Sequence, residues 1–270
     1  MGILIMKLHI LSDLHNEFLR NGKFNSHHKW TGRIPETDAD IIVLAGDIDT
    51  GTRGAEWAIK ESQRLGKPFV YVLGNHEFYG YEFKSLKEKI KNICVDTSVS
   101  CLDCGELVVD DVRIIGATLW TDYRAIESLP IEFVMLQIEN VLADHHKIRF
   151  KSGENYKKFK AHHALTQHNI ELNWLKKKLS DRFKGKTVVV THHGPHPVCQ
   201  HPAFSVNELS AAFHSDLSEL IDQYSIKLWI YGHTHANLDR VISDTRILSN
   251  QAGYPGENVA GFDVSLVVDV

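Results

Sequence analysis

The chain of 270 residues is 43% hydrophobic and 24% charged, an ordinary balance for a packed core, which excludes a disordered or fibrous chain. Its 30 Lys and Arg against 34 Asp and Glu leave a net charge of −4, so no basic field attracts nucleic acid, and specific nucleic-acid binding is not expected. Four cysteines are too few for a disulfide framework and no apolar run is long enough to cross a bilayer, so a cytoplasmic protein without a membrane partner is expected, its oligomeric state left open.

In chain order, Met1 to Leu11 is apolar but interrupted by Lys7 and His9, with no small-residue cleavage site after it, which reads as a first strand rather than a leader. Met6 is a candidate natural start, and it stands where a myristoylation motif beginning at Gly2 needs Ser or Thr. Asp13 and His15 lie just past the strand core, Lys7 to Ser12; two apart in extended backbone, they point the same way. Asn16 to Glu36, with Asn21-Gly22 and His27-His28, reads as a loop near them. Asp40 to Asp47 lacks alternation and is a strand buried on both faces. Gly51 to Leu65 has helical spacing and closes at Gly66, and Pro68 to Leu73 is the next strand, which completes a right-handed crossover unit.

Tyr81 to Ile93 is a second helix whose Lys84, Lys87, Lys89 and Lys91 form a solvated outer face. Cys101-Leu-Asp-Cys104 has metal or redox spacing but no matching second pair, and reads as reduced thiols in a surface turn. Leu107 to Trp120 forms two strands around Asp110-Asp111, an antiparallel hairpin. Residues 122–160 have weak periodicity and a polar knot, Asp144-His145-His146-Lys147-Ile148-Arg149, and read as a lid inserted into a single domain of residues 1–270, from which His145, His146 and Arg149 are candidates to reach a substrate. Glu154 to Phe183 is a long helix or helix pair, Thr187 to Thr191 a strand, and Asn207 to Tyr224 a helix capped by Asn207. Ile226 to Tyr231 is a strand, Leu238 to Asn250 a hairpin turning at Ser243-Asp244, and Val264 to Val268 a last strand. Trp120, Trp174 and Trp229 follow core patterns.

Five of these strand ends deliver polar groups: Asp13 and His15, Asp47 after Gly46, Asn75 and His76 after Gly74, His192, and His233 with His235 after Gly232. Two aspartates, one asparagine oxygen and four imidazoles form a set of N and O donors without a thiolate, which suits Mn, Fe, Zn, Co or Ni better than calcium. The set is too large for one tetrahedral zinc, so two divalent or mixed-valence transition-metal ions fit it better, with Asp47 as the bridging carboxylate. Two ions about 3.5–4 Å apart clamp a phosphate, lower the pKa of a shared water and set it in line with the leaving group. His76, beside Asn75, is then free to protonate the leaving oxygen or to stabilise charge at phosphorus, and is the candidate catalytic residue. Glu77 is expected to support its loop by hydrogen bonds, and Phe78 and Tyr79 to pack under the lid or stack on a base.

In this order, Asp13-x-His15, Gly46-Asp47, Gly74-Asn75-His76-Glu77, His192 and Gly232-His233-x-His235 resemble the calcineurin-like metallophosphoesterase family over residues 7–235. The resemblance implies an α/β fold, a four-layer sandwich of two mixed β-sheets flanked by helices. It also implies that Asp13, His15, Asp47 and His235 hold one metal ion and Asp47, Asn75, His192 and His233 the other, Mn or Fe being favoured. Asp49-Thr-Gly51 and Leu73 replace the Asp-Arg-Gly and the Arg of the protein phosphatases in that superfamily, which points to the compact bacterial phosphohydrolases and phosphodiesterases.

The expected activity is hydrolysis of a small-molecule or nucleotide phosphodiester by in-line attack of metal-bound hydroxide. A phosphomonoesterase or nuclease of the same fold is the enzymatic alternative. A metal-binding scaffold that has lost catalysis is the rival from another class, and intact ligands together with His76 count against it.

Overall fold

The computed structural model describes residues 5–23 and 28–270 of the chain. The start of the first strand and the Gly2 and His27 readings lie outside them. Runs such as Ile41-Ile-Val-Leu-Ala and Thr187-Val-Val-Val, β-branched and apolar on both faces, form strands covered on both sides, and they set the architecture.

The first sheet contains β1 (Lys7–Leu11), β2 (Ile41–Ala45), β3 (Phe69–Val72), β4 (Val99–Cys101) and the antiparallel edge strand β13 (Val267–Asp269), in the order β13-β1-β2-β3-β4. The second contains β5 (Gly105–Val109), β6 (Val112–Ala117), β9 (Lys186–Thr191), β10 (Leu228–Tyr231), β11 (Asp239–Ile242) and β12 (Thr245–Ser249), in the order β11-β12-β10-β9-β6-β5. Here β6, β9, β10 and β12 run parallel, with antiparallel strands β5 and β11 at the edges. A separate hairpin pairs β7 (Arg149–Ser152) with β8 (Asn155–Lys158).

Alternate residues of the two large sheets face each other. Leu8, Ile10, Val43 and Val72 of the first meet Ile114, Val188, Val190 and Ile230 of the second in one buried cluster. Outside the first sheet pack α2 (Arg53–Leu65) and α3 (Phe83–Cys94), through Ala55, Ala58, Leu86 and Ile90; outside the second pack α6 (Ala161–Ser180) and α7 (Ser218–Gln223), through Leu175, Leu179, Leu220 and Ile221. The result is the four-layer sandwich of two mixed sheets between helices. The parallel strands of both sheets end on one side of it, and the polar strand-end residues gather there.

Several local expectations differ. The segment after His15 is not all loop, because α1 (Asn16–Arg20) forms within it and turns Glu17 inward. Glu154 lies in the turn before the hairpin strand β8 and Phe159-Lys160 in its exit, and α6 begins only at Ala161. Asn207 does cap, its side chain accepting from Leu209 N at 2.9 Å, but the helix it starts is a short 3₁₀ turn, Glu208–Ala212, and α7 is a separate element. Lys87 is not part of a solvated face, since it lies between Asp103, at 2.5 Å, and Glu171, at 3.6 Å. Cys101 belongs to β4 rather than to a turn, and all four cysteines are free thiols. Among the described residues no helix is long and apolar enough to cross a membrane.

Candidate metal centre

Three of the five strand ends turn sharply to aim their side chains. Asp13, His15, Asp47, His233 and His235 all have left-handed backbone, with φ between 46° and 70°. Such conformations are costly away from glycine and cluster at functional sites. The glycines of the motifs are required by space. A Cβ at Gly74 would collide with Asp47 Oδ1, and one at Gly232 with Ser12 Oγ.

The side chains form two adjoining groups. In one, His235 Nε2 lies 3.3 Å from Asp13 Oδ1 and 3.2 Å from His15 Nε2. In the other, His192 Nε2 lies 3.4 Å from Asp47 Oδ1 and 2.9 Å from Asn75 Oδ1, with His233 alongside. Asp47 stands between the groups, its Oδ2 also 3.9 Å from His15 Nε2.

The hydrogen bonds on the far side of each ring show what these atoms await. His192 Nδ1 contacts Ala45 O at 2.9 Å and His15 Nδ1 contacts Glu17 Oε1 at 3.1 Å. If each Nδ1 carries the proton, each Nε2 presents a lone pair. His192 Nε2 then faces other acceptors, Asn75 Oδ1 and Asp47 Oδ1. Lone pairs converging without a proton between them fit a cation. His233 Nε2 is buried without a hydrogen-bond partner, which fits the same reading.

Electrostatics agree. Burial pushes the His15 and His233 imidazoles down to about 4 and His192 to about 3, so these rings are neutral at neutral pH, the form that can bind a cation. Burial, then the carboxylates of Glu77 and Asp13, push the Asp47 carboxyl well above the usual range, a cost that positive charge in the site would offset. Burial opposes protonation of His235, but its bonds to Asp13 and Glu257 prevail and hold it up to about 9.

His76 sits beside this centre. Its Nδ1 contacts Glu17 Oε1 at 2.9 Å and its Nε2 contacts the Tyr254 hydroxyl at 2.7 Å. Its backbone N–H donates to Asp47 Oδ1 at 2.8 Å, which ties the loop to the Asp47 carboxylate. Glu77 supports that loop as expected, accepting from Gly74 N at 2.8 Å, Ile48 N at 2.8 Å and Tyr71 Oη at 2.7 Å. His193 is buried behind the centre, its ring centroid 4.3 Å from that of His233 and its Nδ1 3.2 Å from Thr118 O.

The walls come from residues outside the motifs. Asp144, on the short helix α5 (Asp144–Lys147), accepts from Asn75 Nδ2 at 2.8 Å and from Tyr79 Oη at 2.6 Å. Tyr254 lies over the site with its ring centroid 4.4 Å from His15 and 4.5 Å from His235, and Glu257 contacts His235 Nδ1. His145, His146 and Arg149 are bonded elsewhere, to Phe159 O, Asn140 O and Gly80 O. Glu17 carried a sequence signal, since Asp13, His15 and Glu17 alternate, and Asp144 opened the polar knot of the lid, though His145, His146 and Arg149 were the residues singled out there; Tyr254 and Glu257 carried none.

The profile of the calcineurin-like phosphoesterase family matches residues 6–237. An uncharacterized protein of Acanthamoeba polyphaga mimivirus is 25% identical over 266 residues, which cover 93% of this chain and 92% of that one. The crystal structure of phosphopantetheinyl hydrolase from Mycobacterium tuberculosis superposes with a TM-score of 0.75 at 18% identity, covering 98% of this chain and 96% of the other, which is a likeness of fold. With the motifs matched across most of its length and the strand-end aspartates and histidines clustered as a metal-binding group, the chain belongs to the calcineurin-like phosphoesterase family and is a phosphoester hydrolase.

Proposed function

We propose that the protein is a dinuclear metal-dependent phosphodiesterase of small-molecule or nucleotide substrates. Asp13, His15, Asp47 and His235 would hold one ion, and Asp47, Asn75, His192 and His233 the other, with Mn or Fe favoured over Zn, Co or Ni. The observation that carries this is the place of Asp47, 3.4 Å from His192 Nε2 and 3.9 Å from His15 Nε2, one carboxylate within reach of a neutral imidazole from each group. When bound, such a pair binds phosphate oxygens and activates a water for in-line attack.

The residues of the chain do the rest. Asn75 is held by Asp144, which frees its Oδ1 to face the His192 side of the centre. Glu17 orients the His76 ring through Nδ1, so that Nε2 is presented on the Tyr254 side, where a proton can pass to a departing oxygen. Segment 122–160 contributes Asp144 to the wall, which supports its reading as a lid inserted in a single domain.

Turnover of bis-p-nitrophenyl phosphate against p-nitrophenyl phosphate, by protein stripped of metal and refilled with Mn(II), tests the proposal. Cleavage of the diester supports it. Cleavage of the monoester alone makes the enzyme a phosphatase, and no turnover with ions demonstrably bound favours a scaffold. A diester with a pantetheine arm, the group named for the Mycobacterium tuberculosis hydrolase, belongs in the first substrate set.

A further inference from the structure

The recess over the centre, walled by Tyr79, Asp144 and Tyr254, has a volume of about 690 Å3. A phosphate group needs a small part of that space, and recesses of about 300–1,000 Å3 accept small organic molecules. Beside neutral polar groups such as Asn237, Asn258 and His201, its lining has an apolar and an acidic part. Leu142, Phe204, Phe213 and Val259 are apolar; Phe204 stands 65% exposed, and Phe213 is stacked on His233 with ring centroids 4.9 Å apart. The charged lining residues are Asp144 and Glu257, with Asp47 at the floor, and no Lys or Arg is among the lining residues described.

The nearby cation faces elsewhere. Lys147 Nζ lies over the Tyr79 ring, 4.8 Å from its centroid, and lines a separate recess of about 360 Å3 beside Glu17, Phe18 and His76. In the larger recess the basic group His235 is already paired with Asp13 and Glu257, so the charge needed to hold a phosphate falls to ions on the floor. A second anionic group beyond it would meet two carboxylates and an apolar wall, while an uncharged arm would displace water from that wall at little cost.

We propose that the 690 Å3 recess selects phosphodiesters whose arm beyond the phosphorus is uncharged and partly apolar, and discriminates against arms that carry a further phosphate. The proposal rests on the phosphodiesterase reading of the same site. It names a substrate class by charge, in which nucleoside or amide–alkyl arms are accepted and polyphosphate or bisphosphorylated arms are not.

The test uses the metal-loaded full chain and two compounds that differ by one phosphate, the p-nitrophenyl ester of thymidine 5′-phosphate and the same ester phosphorylated at the 3′ oxygen. The expected result is a kcat/KM at least about tenfold lower for the phosphorylated compound, mostly through KM, as fits repulsion by carboxylates at short range. Val259→Lys is expected to narrow that ratio. Equal or reversed rates for the two compounds overturn the proposal, and a ratio unmoved by Val259→Lys overturns the assignment of the discrimination to this recess. Calorimetric binding of thymidine 5′-phosphate and thymidine 3′,5′-bisphosphate reads the same preference without turnover. Tighter binding of the monophosphate supports the proposal, and equal or weaker binding overturns it. Should no diester be hydrolysed while that binding preference holds, the phosphodiesterase reading fails and the charge selectivity of the recess stands.

Discussion

The floor of the site and its walls are built by different means. The floor comes from the ends of parallel strands in two facing sheets, where Asp13, Asp47, Asn75, His192, His233 and His235 are buried or nearly so, and five of the floor residues, His15 among them, are held in left-handed backbone. The walls come from short helices and irregular segments, from which Glu17, Asp144, Tyr254 and Glu257 reach the floor and His76 by one or two side-chain contacts each. A rigid floor fixes the chemistry, and walls attached by one or two bonds can adjust what is accepted.

That division sets an order of effects. The largest belongs to Asp47→Ala, which removes the carboxylate common to both groups; metal content by atomic emission and diester turnover should fall together to background. Retention of two ions by this variant would show that Asp47 is not shared. On the proposed reading, in which His76 is a proton donor and not a ligand, His76→Gln should lower kcat by about 10²–10⁴-fold with metal content unchanged. Loss of metal in that variant would place His76 among the ligands instead.

Wall substitutions should cost less. Asp144→Ala and Glu257→Gln each remove the partner that orients a proposed ligand, Asn75 and His235, and a loss of about 10–100-fold in metal affinity is expected, read by chelator competition. An effect as large as that of Asp47→Ala would end the distinction between floor and wall.

The smallest effect is expected outside both, at Glu171 on α6, where burial, against the pull of Lys87, holds the carboxyl up to about 7 from an ordinary 4.5. A carboxyl whose folded-state value is raised binds more protons when folded than unfolded, so its stabilising share is complete below pH 4.5 and is lost as pH rises through 7. The melting temperature of the parent relative to Glu171→Gln should therefore decline between pH 5 and pH 8, with diester turnover per bound metal unchanged. A flat difference would contradict the shift.

The same division decided what could be read in advance. Gly74-Asn75-His76-Glu77 and Gly232-His233-x-His235 were legible because a buried strand that ends in a glycine and polar residues has few other uses, and the apolar strands β2 and β9 announced the sheets. The three-residue strand β4 and the hairpin of β7 and β8 were missed, since runs so short are fixed by tertiary pairing and not by pattern. Tyr254 and Glu257 were invisible for a related reason. They sit in the loop after β12, Tyr254 just after Gly253 and Glu257 just after Gly256, where nothing periodic shows which way a side chain faces.

The account stands most directly on metal stoichiometry coupled to activity. Protein stripped of metal and titrated with Mn(II) should bind two ions per chain, and bis-p-nitrophenyl phosphate turnover should rise as the second site fills. Binding of a single ion, or turnover that is complete before the second ion is bound, would contradict a centre bridged by Asp47.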